Sequence, residues 1–554
     1  MEKIWLKNYP AGVPAEINPD AYSSLADLFD KVCRKYSEKP AYANMGTMMT
    51  FSEMDQAASH FAAFLQQKLH CKKGERIAIM MPNLLQYPVA IFGAFIAGMT
   101  VVNVNPLYTA YELEHQLQDS GATVVVVLAN FAHVLQDAIK NTQIKHVIVT
   151  EIGDMFSVVK RSIVNLVVKY VKKMVPAWEI SGAISFVQAM QWGRKKNADP
   201  VLLTGQDIAF LQYTGGTTGV AKGAALTHRN MIANVEQASA WIHPFLVAGE
   251  GIIITALPLY HIFSLTANCL VFLKNGSLNV LITNPRDIKG FIKEMGHYQF
   301  TAITGVNTLF NALLHSPDFA KLDFSHFVLA LGGGMAVQRA VAERWIEVTG
   351  KPLLEAYGLT ETSPAVTINP LNMTTFNGSI GLPVPSTEVS IRDDAGNELP
   401  LGDVGELCVR GPQVMQGYWN RPDETQKVMM ADGFLRTGDI ACIDSNGYVY
   451  LKERKKDMIL VSGFNVYPNE IEDVIAKLPG VLEVAVVGVP NEHSGETVKA
   501  FVVKKDPALQ ADDVIHFCRE YLTGYKIPKI VEFRAELPKS NVGKILRREL
   551  REPA

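Results

Sequence analysis

Residues 213–224 have the sequence Tyr-Thr-Gly-Gly-Thr-Thr-Gly-Val-Ala-Lys-Gly-Ala. They follow the apolar run Ile208-Ala209-Phe210-Leu211, which predicts a buried strand leading into a loop. Glycines let backbone N–H groups turn toward anionic oxygens, threonine hydroxyls add donors, and Lys222 supplies a positive charge. A strand followed by such a loop indicates an α/β protein that holds a polyphosphate group.

This loop differs from the P-loop of nucleoside triphosphatases, which has the pattern G-x-x-x-x-G-K-[ST]. Here Ala221 precedes the lysine and Gly223 follows it. The stretch Leu226-Thr227-His228-Arg229-Asn230 follows, and we expect no helical period before its end. For these residues taken alone, a plain surface loop remains the alternative.

Length and composition bound the class of protein. A chain of 554 residues is long enough for two to four domains, and 48% apolar with 19% charged residues is a globular balance. A net charge of −3 gives no support for nucleic acid as a partner. Six scattered cysteines without a C-x-x-C pair are typical of reduced thiols. With no apolar signal core and no long apolar run, we expect a cytoplasmic protein without a membrane span.

The segment 156–178 is basic and amphipathic. Its bases are Lys160, Arg161, Lys169, Lys172 and Lys173, and no acid occurs before Glu179. At helical spacing it carries Phe156, Ile163, Val167, Tyr170 and Met174. Two interpretations stay open: a helix in the headgroup region of an anionic bilayer, or a helix packed on the body with a solvated basic face.

Strand-like and helix-like stretches alternate through the first part of the chain. The Val-rich stretch 123–128 predicts a strand covered on both faces, as does 252–257. The stretch 327–331 runs directly into Gly332-Gly333-Gly334, where small residues permit close backbone approach. Frequent Gly and Pro beyond residue 376 predict short β-strands in a small barrel or sandwich.

Several polar motifs follow the loop in a fixed order. They are the segments 257–263 (Leu-Pro-Leu-Tyr-His-Ile-Phe), 355–361 (Glu-Ala-Tyr-Gly-Leu-Thr-Glu), 437–439 (Thr-Gly-Asp), 454–457 (Arg-Lys-Lys-Asp), 462–465 (Ser-Gly-Phe-Asn) and 538–547 (Pro-Lys-Ser-Asn-Val-Gly-Lys-Ile-Leu-Arg). With these motifs the chain resembles the adenylate-forming superfamily over nearly its whole length. Within it, the chain is most similar to the bacterial long-chain fatty-acyl-CoA ligases.

The resemblance implies an α/β fold in two parts. A large N-terminal domain, residues 1–453, would contain α/β subdomains at 1–200 and 201–375 and a small β-barrel at 376–453. A hinge at 454–458 would join it to a mobile small α/β domain at 459–554.

The resemblance also implies the chemistry. A carboxylate attacks the α-phosphate of ATP in the presence of Mg²⁺ and forms an acyl-adenylate with release of pyrophosphate. Coenzyme A then displaces AMP to give a thioester. The implied ATP-binding residues are Tyr213, Thr214, Gly215, Gly216, Thr217, Thr218, Gly219, Val220, Ala221, Lys222, Gly223, Ala224, Gly334, Glu355, Ala356, Tyr357, Gly358, Thr360, Asp439 and Arg454.

Individual roles follow from the resemblance. Glu361 would be the acidic Mg²⁺ ligand, with Thr214 near the metal, and Asp439 would accept hydrogen bonds from the ribose hydroxyls. Lys544 would neutralise the charge that builds up when one anion attacks another. Lys456 lies at the implied hinge. After the first step, the turn that contains Ser462, Gly463 and Phe464 would replace Lys544 and line the path of coenzyme A.

The carboxylic acid substrate is less well defined. Relatives that activate amino acids carry Asp at the position of His261, so an α-amino acid is disfavoured. His261 and Leu265 are expected at the acyl pocket, and no tryptophan gate stands near Leu265. The overall match and the basic segment favour long-chain fatty acids, with medium-chain or aromatic, coumarate-like acids as alternatives.

The sequence disfavours two other functions relative to ligation to coenzyme A. A fatty-acyl-AMP ligase would carry an insertion that restricts domain rotation, and none occurs between Gly438 and Gly463. A nucleotide carrier without catalysis would have lost Lys544, Glu361 or Asp439, which are all present. We therefore expect a peripheral enzyme at the anionic inner face of the membrane, with fatty acid as substrate and with a homodimer left open.

Overall fold

A computed structural model describes residues 2–214, 221–462, 464–491, 494–540 and 542–551. Two large sheets of mainly parallel strands share one apolar interior. In spatial order, the strands of the first sheet are Gly417–Tyr418, Lys222–Thr227, Ile208–Thr214, Thr100–Asn103, Arg76–Met80, Val124–Leu128, His146–Thr150 and Ile184–Ser185. Val124–Leu128 is buried at every position, as its Val-rich sequence predicts for a strand between two parallel neighbours.

Helices cover both faces of this sheet. They are Leu25–Lys35, Phe51–Ala63, Gln86–Ile96, Ala110–Ser120, Ala132–Ala138 and Phe186–Gly193, with a π-helical continuation at Phe64–Lys68. The helix Val158–Leu166 and its π-helical continuation Val167–Val171 lie at the surface and have no buried residue. Gln86–Ile96 is buried from Gln86 to Phe95, because a helix that is apolar on all sides must lie inside the protein. Its Phe95 ring meets Phe210 at 5.2 Å, which fixes the strand that leads into the 213–224 loop.

The second sheet carries the other half of the core. Its strands in spatial order are Leu382–Pro383, Ala365–Ile368, Leu353–Gly358, Leu329–Gly333, Ala302–Gly305, Ile252–Thr255, Leu278–Leu281, Pro40–Asn44 and Thr47–Thr50. The helices in this part of the chain are His228–Ile242, which packs against strands of the first sheet, Ile262–Ser264, Phe272–Lys274, Ile288–Met295, Asn307–Leu314 and Arg339–Thr349, and Leu265–Val271 is π-helical. The carboxyl ends of its parallel strands meet along one edge, where Gly333 and Gly358 lie.

The two sheets do not divide the chain at residue 200. Ile208–Thr214 and Lys222–Thr227 belong to the first sheet, whereas the early hairpin Pro40–Asn44 and Thr47–Thr50 joins the second. Periodicity along the sequence identifies strands, but it does not say which strands become neighbours.

The last two units are smaller. Glu388–Arg392, Gly405–Arg410, Leu435–Ile443 and Val449–Arg454 form an antiparallel sheet in that order, accompanied by the helix Pro422–Val428. Among the described residues, its first and last strands are not paired with each other, so this unit is an open sheet rather than a closed barrel. The C-terminal unit has the strands Phe464–Val466, Ile459–Val461, Gly495–Lys504 and Val481–Asn491, with Ile530–Arg534 beside Gly495–Lys504, and the helices Pro468–Ile475 and Ala511–Tyr521.

Short 3-10 turns complete the described structure. They lie at Ile4–Asn8, Ala129–Phe131, Ile139–Asn141, Phe319–Lys321, Thr360–Thr362, Gly524–Lys526 and Arg547–Glu549. All six cysteines are unpaired thiols, and five of them are buried. In the part of the chain that the structure describes, we find no helix with the length and apolar content needed to cross a bilayer.

Candidate active site

A cavity of about 1390 Å³ lies between the two large sheets, the small β unit and the C-terminal unit. The strand ends at Thr214 and Gly333 open into it, and Asp439 of the small β unit and Lys544 of the C-terminal tail complete the wall. The cavity therefore brings together side chains that are more than 300 residues apart in the sequence.

The 213–224 loop begins and ends in an antiparallel strand pair, with Thr214 opposite Lys222. Tyr213, Thr214, Ala221 and Lys222 line the cavity, whereas residues 215–220, the middle of the predicted phosphate loop, lie outside the described residues. The Tyr213 hydroxyl donates a 2.6 Å hydrogen bond to Asp119, and burial together with this contact raises the pKa of Tyr213. A Cβ at Gly223 would meet the Tyr213 ring at 3.0 Å, so a small residue is needed there.

Lys222 is held by a segment that the sequence did not identify. Its ammonium pairs with Glu424 and lies 5.3 Å from the centre of the Tyr418 ring. The short strand Gly417–Tyr418 pairs with Lys222–Thr227, which brings Tyr418 to the base of the loop. The loop base is therefore bound to the segment 417–428 as well as to its own sheet.

Glu361 stands in the 3-10 turn Thr360–Thr362 at the cavity wall. Its carboxylate accepts a 2.7 Å hydrogen bond from the Tyr418 hydroxyl, and its carbonyl accepts one of 2.8 Å from the Met415 N–H. Thr214 lines the same cavity. One carboxylate with a hydroxyl suits Mg²⁺, which takes few protein ligands and completes its shell with phosphate oxygens and water.

Glycines and a buried carboxyl shape the second strand-end region. Gly334 has a φ of +79°, and a Cβ there would meet the Lys544 side chain at 3.0 Å. Glu355 accepts a 2.9 Å hydrogen bond from the Val337 N–H, and burial raises its pKa to about 8. Glu355 therefore orders the 334–337 loop, while Ala356, like its neighbours Tyr357, Gly358 and Thr360, faces the cavity.

Asp439 is nearly fully buried in the cavity wall. Its carboxylate accepts a 2.6 Å hydrogen bond from the Tyr357 hydroxyl and lies 3.5 Å from the Arg454 guanidinium. Burial raises the pKa of Asp439, and Arg454 opposes that shift. The carboxylate keeps acceptor capacity beyond the tyrosine, as a group that binds paired hydroxyls requires.

Lys544 projects into the cavity from a turn of the C-terminal tail. Burial, with the nearby Arg454 charge, lowers the pKa of Lys544 to about 8. The turn is closed by a 2.7 Å hydrogen bond from the Ser540 N–H to the Lys544 carbonyl. It is attached to the N-terminal body by a 2.9 Å hydrogen bond from the Thr308 hydroxyl to the Gly543 carbonyl.

His261 lines the same cavity in its neutral form. Burial and the Lys544 charge lower the pKa of His261 to about 3. Its Nδ1 accepts a 3.3 Å hydrogen bond from the Phe263 N–H, so the proton of the neutral ring belongs on Nε2. His261 can therefore donate one hydrogen bond to an acceptor and carries no charge.

An apolar region extends from His261. It is lined by Ala238, Ile242, Ala267, Val271, Phe272, Leu329 and Ile368. Leu265, expected at the acyl pocket, is instead fully buried, and its neighbours Thr266 and Ala267 form the wall. The π-helical turn at Leu265–Val271 shifts which side chains point inward, and helical spacing alone does not reveal such a shift.

Ion pairs connect residues on the two sides of the predicted hinge, 454–458. Arg547 forms ion pairs of 2.9 Å with Glu453 and 2.8 Å with Glu472 and thus links the strand before the hinge to the C-terminal helix Pro468–Ile475. Lys456 is half-buried, and burial lowers its pKa. These contacts hold the C-terminal unit in the arrangement that places Lys544 in the cavity.

The Ser462 turn lies away from the cavity in this arrangement. Phe464 is 55% exposed and stacks on Tyr525 at 4.7 Å, and Gly463 lies outside the described residues. The N–H of Ser462 donates to the Ser494 carbonyl within the C-terminal unit. The two predicted groups of C-terminal residues are therefore separated: Lys544 lies in the cavity, whereas Ser462 and Phe464 lie outside it.

Comparison with known proteins decides the family. Residues 29–419 match the model for the AMP-binding enzyme, and residues 470–544 match that for the AMP-binding enzyme C-terminal domain. The chain belongs to the AMP-binding enzyme family. This membership confirms the resemblance to adenylate-forming enzymes and the mixed α/β fold class.

Relatives of this AMP-binding enzyme match along its full length. It is 60% identical to the long-chain-fatty-acid–CoA ligase of Salmonella typhimurium, over all of this chain and 99% of the relative. It is 36% identical to the ligase of the same name from Bacillus subtilis, over all of this chain and 98% of the relative. The structure of ATP-bound MatB from Rhodopseudomonas palustris covers 95% of this chain and 98% of its own, with a TM-score of 0.78 and 28% identity. The structure of the anthranilate CoA ligase AuaEII has a TM-score of 0.84 and 24% identity, and the match covers 97% of both chains.

Several side chains of the AMP-binding enzyme site had no signal in the sequence. Asp119, Thr308, Tyr418 and Glu424 each contact a predicted residue from a distant part of the chain. Their residue types are common on surfaces, and no local spacing connects them to the motifs.

Proposed function

We propose that this AMP-binding enzyme activates long-chain fatty acids to acyl-CoA with ATP, through an acyl-adenylate, and releases AMP and pyrophosphate. The observation that carries the proposal is the position of Lys544, which lies in one cavity with Asp439, with the base of the 213–224 loop and with an apolar channel. The 60% identity over the full chain to long-chain-fatty-acid–CoA ligases favours this function over ligation of medium-chain or aromatic acids and over an AMP ligase.

In the first step, a carboxylate oxygen of the fatty acid bonds to the α-phosphorus of ATP while the bond from that phosphorus to the bridging oxygen breaks. Pyrophosphate leaves with the bonding electron pair. Lys544 neutralises charge between the attacking and phosphate oxygens, and its pKa of about 8 leaves the ammonium mostly protonated at neutral pH. The neutral His261 donates a hydrogen bond to the carboxylate end of the substrate without pairing with it as an ion.

Different residues would bind different parts of ATP. Lys222 and the described ends of its loop would hold the β- and γ-phosphates, and Asp439 would accept from the ribose hydroxyls, with Tyr357 and Arg454 orienting its carboxylate. Glu361 and Thr214 would hold a Mg²⁺ ion, which would supply charge neutralisation at the phosphates. The apolar channel would take the acyl chain and exclude water from it.

In the second step, the thiolate of coenzyme A attacks the acyl carbon, and the bond from that carbon to the AMP oxygen breaks. We propose that residues 459–554 rotate about the hinge 454–458 relative to residues 1–453 between the steps. Lys544 would then leave the cavity, and the turn of Ser462, Gly463 and Phe464 would line the coenzyme A path. The separation of these two sets in the present arrangement supports such an exchange.

The test is release of AMP that depends on coenzyme A, measured over a series of fatty acids of increasing chain length with coumarate included. We expect the highest kcat/KM for long chains and almost none for coumarate. A higher kcat/KM for coumarate would replace this proposal with an aromatic acid ligase. AMP release that needs no coenzyme A and yields free acyl-AMP would favour an AMP ligase.

We also propose that the enzyme works at the anionic inner face of a membrane, where long-chain fatty acids accumulate.

A further inference from the structure

The helical segment 158–174 turns large apolar side chains toward solvent. From Val158 to Val171 none of its residues is buried. Each of the following side chains is more than half exposed: Val158, Val159, Ile163, Leu166, Tyr170, Val171 and Met174. A helix packed on a protein body turns its apolar stripe inward. Here Phe156 is buried and Val164 packs against the core, but Ile163, Tyr170 and Met174 of the predicted stripe point outward, so packing on the body accounts for only part of this segment.

A second element adds to the same face. The turn between Pro40–Asn44 and Thr47–Thr50 exposes 44% of Met45 and 59% of Met48. Lys160 joins the turn to the helix, because its ammonium donates to the Met45 carbonyl and, at 3.0 Å, to the Thr47 hydroxyl. Met45 has a φ of +49°, which is uncommon outside glycine, so the turn holds a large apolar side chain at its tip despite the cost.

Positive charge surrounds this apolar face. Lys169, Lys172 and Lys173 are exposed, and no acidic residue occurs between Asp154 and Glu179. Apolar side chains beside lysines on one surface are the combination that enters the headgroup region of an anionic bilayer. Long lysine side chains keep their ammonium groups at the headgroups while their stems lie along apolar surface.

We propose that residues 158–174 and the hairpin tip 45–48 form one contact surface for an anionic lipid bilayer, here called the interfacial surface. A second copy of this chain is the other possible occupant. In a two-fold dimer through this face, the lysines of one copy would lie opposite the lysines of the other. Repulsion between these like charges disfavours the dimer. The proposal rests on the proposed function only for its purpose, which is to bring the enzyme to a membrane-dissolved substrate.

The experiment uses the full chain with vesicles of phosphatidylcholine alone or mixed with phosphatidylglycerol, and measures binding by flotation. One variant combines Ile163→Gln, Leu166→Gln and Tyr170→Ser, a second combines Lys169→Gln, Lys172→Gln and Lys173→Gln, and a third combines Met45→Gln and Met48→Gln. The matched control is Leu202→Gln with Val247→Gln, because these side chains are 84% and 65% exposed elsewhere on the protein. Exposed positions are used so that folding is preserved.

We expect the wild type and the control to bind mixed vesicles equally. The first variant should lose at least about a hundredfold in partition coefficient, since three apolar side chains no longer insert. The lysine variant should lose roughly fivefold per lysine, and only with anionic vesicles. The methionine variant should bind more weakly than the control.

Wild-type protein that does not bind mixed vesicles, or an apolar variant that binds as well as the control, would overturn the interfacial surface. The interfacial surface would also be overturned if the apolar variant bound vesicles like the wild type but had a different molar mass by light scattering. That result would show that the face joins two copies of the chain. Release of AMP from detergent-dispersed fatty acid without vesicles should be the same in all variants. Protein that binds vesicles but releases no AMP would contradict the proposed function and leave this surface in place.

Discussion

The Thr308 hydroxyl donates a 2.9 Å hydrogen bond to the Gly543 carbonyl, one residue before Lys544. It connects the helix Asn307–Leu314 of the N-terminal body to the turn that carries the lysine. Close by, the Asn311 amide donates to the Leu482 carbonyl of the C-terminal unit at 3.2 Å. These contacts belong to the arrangement with Lys544 inside the cavity, so under the proposed function they would support adenylate formation and not thioester formation.

Replacement of Thr308 by valine keeps the side-chain shape and removes the hydroxyl. We expect adenylate formation to slow about fivefold, which corresponds to one neutral hydrogen bond of about 1 kcal/mol. Conversion of supplied acyl-AMP to thioester should be unchanged. Thr308→Ser restores the donor and should behave as wild type; equal slowing of both half-reactions by Thr308→Val would contradict a role in the first step.

Lys544→Ala removes the positive charge from the cavity. Adenylate formation should fall by roughly 10²–10³, because charge that develops between two anionic oxygens is no longer neutralised. The second half-reaction should keep most of its rate when acyl-AMP is supplied. Lys529→Ala, an exposed lysine of the same C-terminal unit, serves as control. Comparable loss in both half-reactions would remove Lys544 from the assigned role.

The pH dependence follows from the lysine pKa. Burial lowers the pKa of Lys544 to about 8 in the free protein, so the ammonium is present below that pH and is lost above it. The kcat/KM for adenylate formation should therefore decline as the pH rises through about 8. The thioester half-reaction should show no such decline from this group. A kcat/KM for adenylate formation that stays constant well above pH 8 would show that the proton on Lys544 is not needed for this step.

Tyr418→Phe tests the hydrogen bond to Glu361. The ring stays near Lys222, but the Glu361 carboxylate loses a 2.7 Å contact that orients it. Because a hydrogen bond to a charged group contributes about 1.5–3 kcal/mol, we expect the Mg²⁺ concentration for half-maximal adenylation to rise about tenfold or more.

Two further variants distinguish the effect of Tyr418 on Glu361 from its effect on Lys222. Glu361→Gln should raise the Mg²⁺ requirement further, whereas Glu424→Gln releases Lys222 and should change the KM for ATP more than the response to Mg²⁺. A purely structural Tyr418 would alter thermal stability and leave the Mg²⁺ titration unchanged.

Lys456→Pro tests the hinge. Among the described residues, the Lys456 N–H donates no backbone hydrogen bond, so the closed arrangement can accommodate proline. Adenylation should stay near the wild-type rate, while thioester formation from supplied acyl-AMP should fall steeply because the rotation is restricted. Lys455→Ala, which loses an exposed ion pair with Asp394 and a longer one of 3.7 Å with Glu406, is the control. A fully active Lys456→Pro would exclude rotation at this residue.

Much of the fold and of the site was predictable because the responsible signals are local. The Val-rich strand Val124–Leu128 and the glycines at the end of Leu329–Gly333 are visible in short windows of sequence. Lys544 was predictable because its motif is distinctive, although a lone lysine in a polar tail carries no signal.

Non-local pairing accounts for what the sequence could not show. The early hairpin Pro40–Asn44 with Thr47–Thr50 joins a sheet whose other strands begin at residue 252. Tyr418 and Glu361 are 57 residues apart, and each has an ordinary local environment. Ile163 points outward because the body of the protein lies on the other side of its helix. The periodicity of the sequence does not show on which side the body lies.

The pairing of Gly417–Tyr418 with Lys222–Thr227 has a consequence for the order of events in turnover. It anchors the base of the 213–224 loop to both the first sheet and the 417–428 segment, whereas the opposite wall is attached to the N-terminal body by single polar contacts such as Thr308–Gly543 and Asn311–Leu482. If residues 459–554 rotate as proposed, the exit for pyrophosphate would open on the side of Lys544. We expect pyrophosphate to depart as the C-terminal unit withdraws, so that the same movement empties the site and admits the thiol, and excess pyrophosphate should compete with coenzyme A for the enzyme that holds the adenylate.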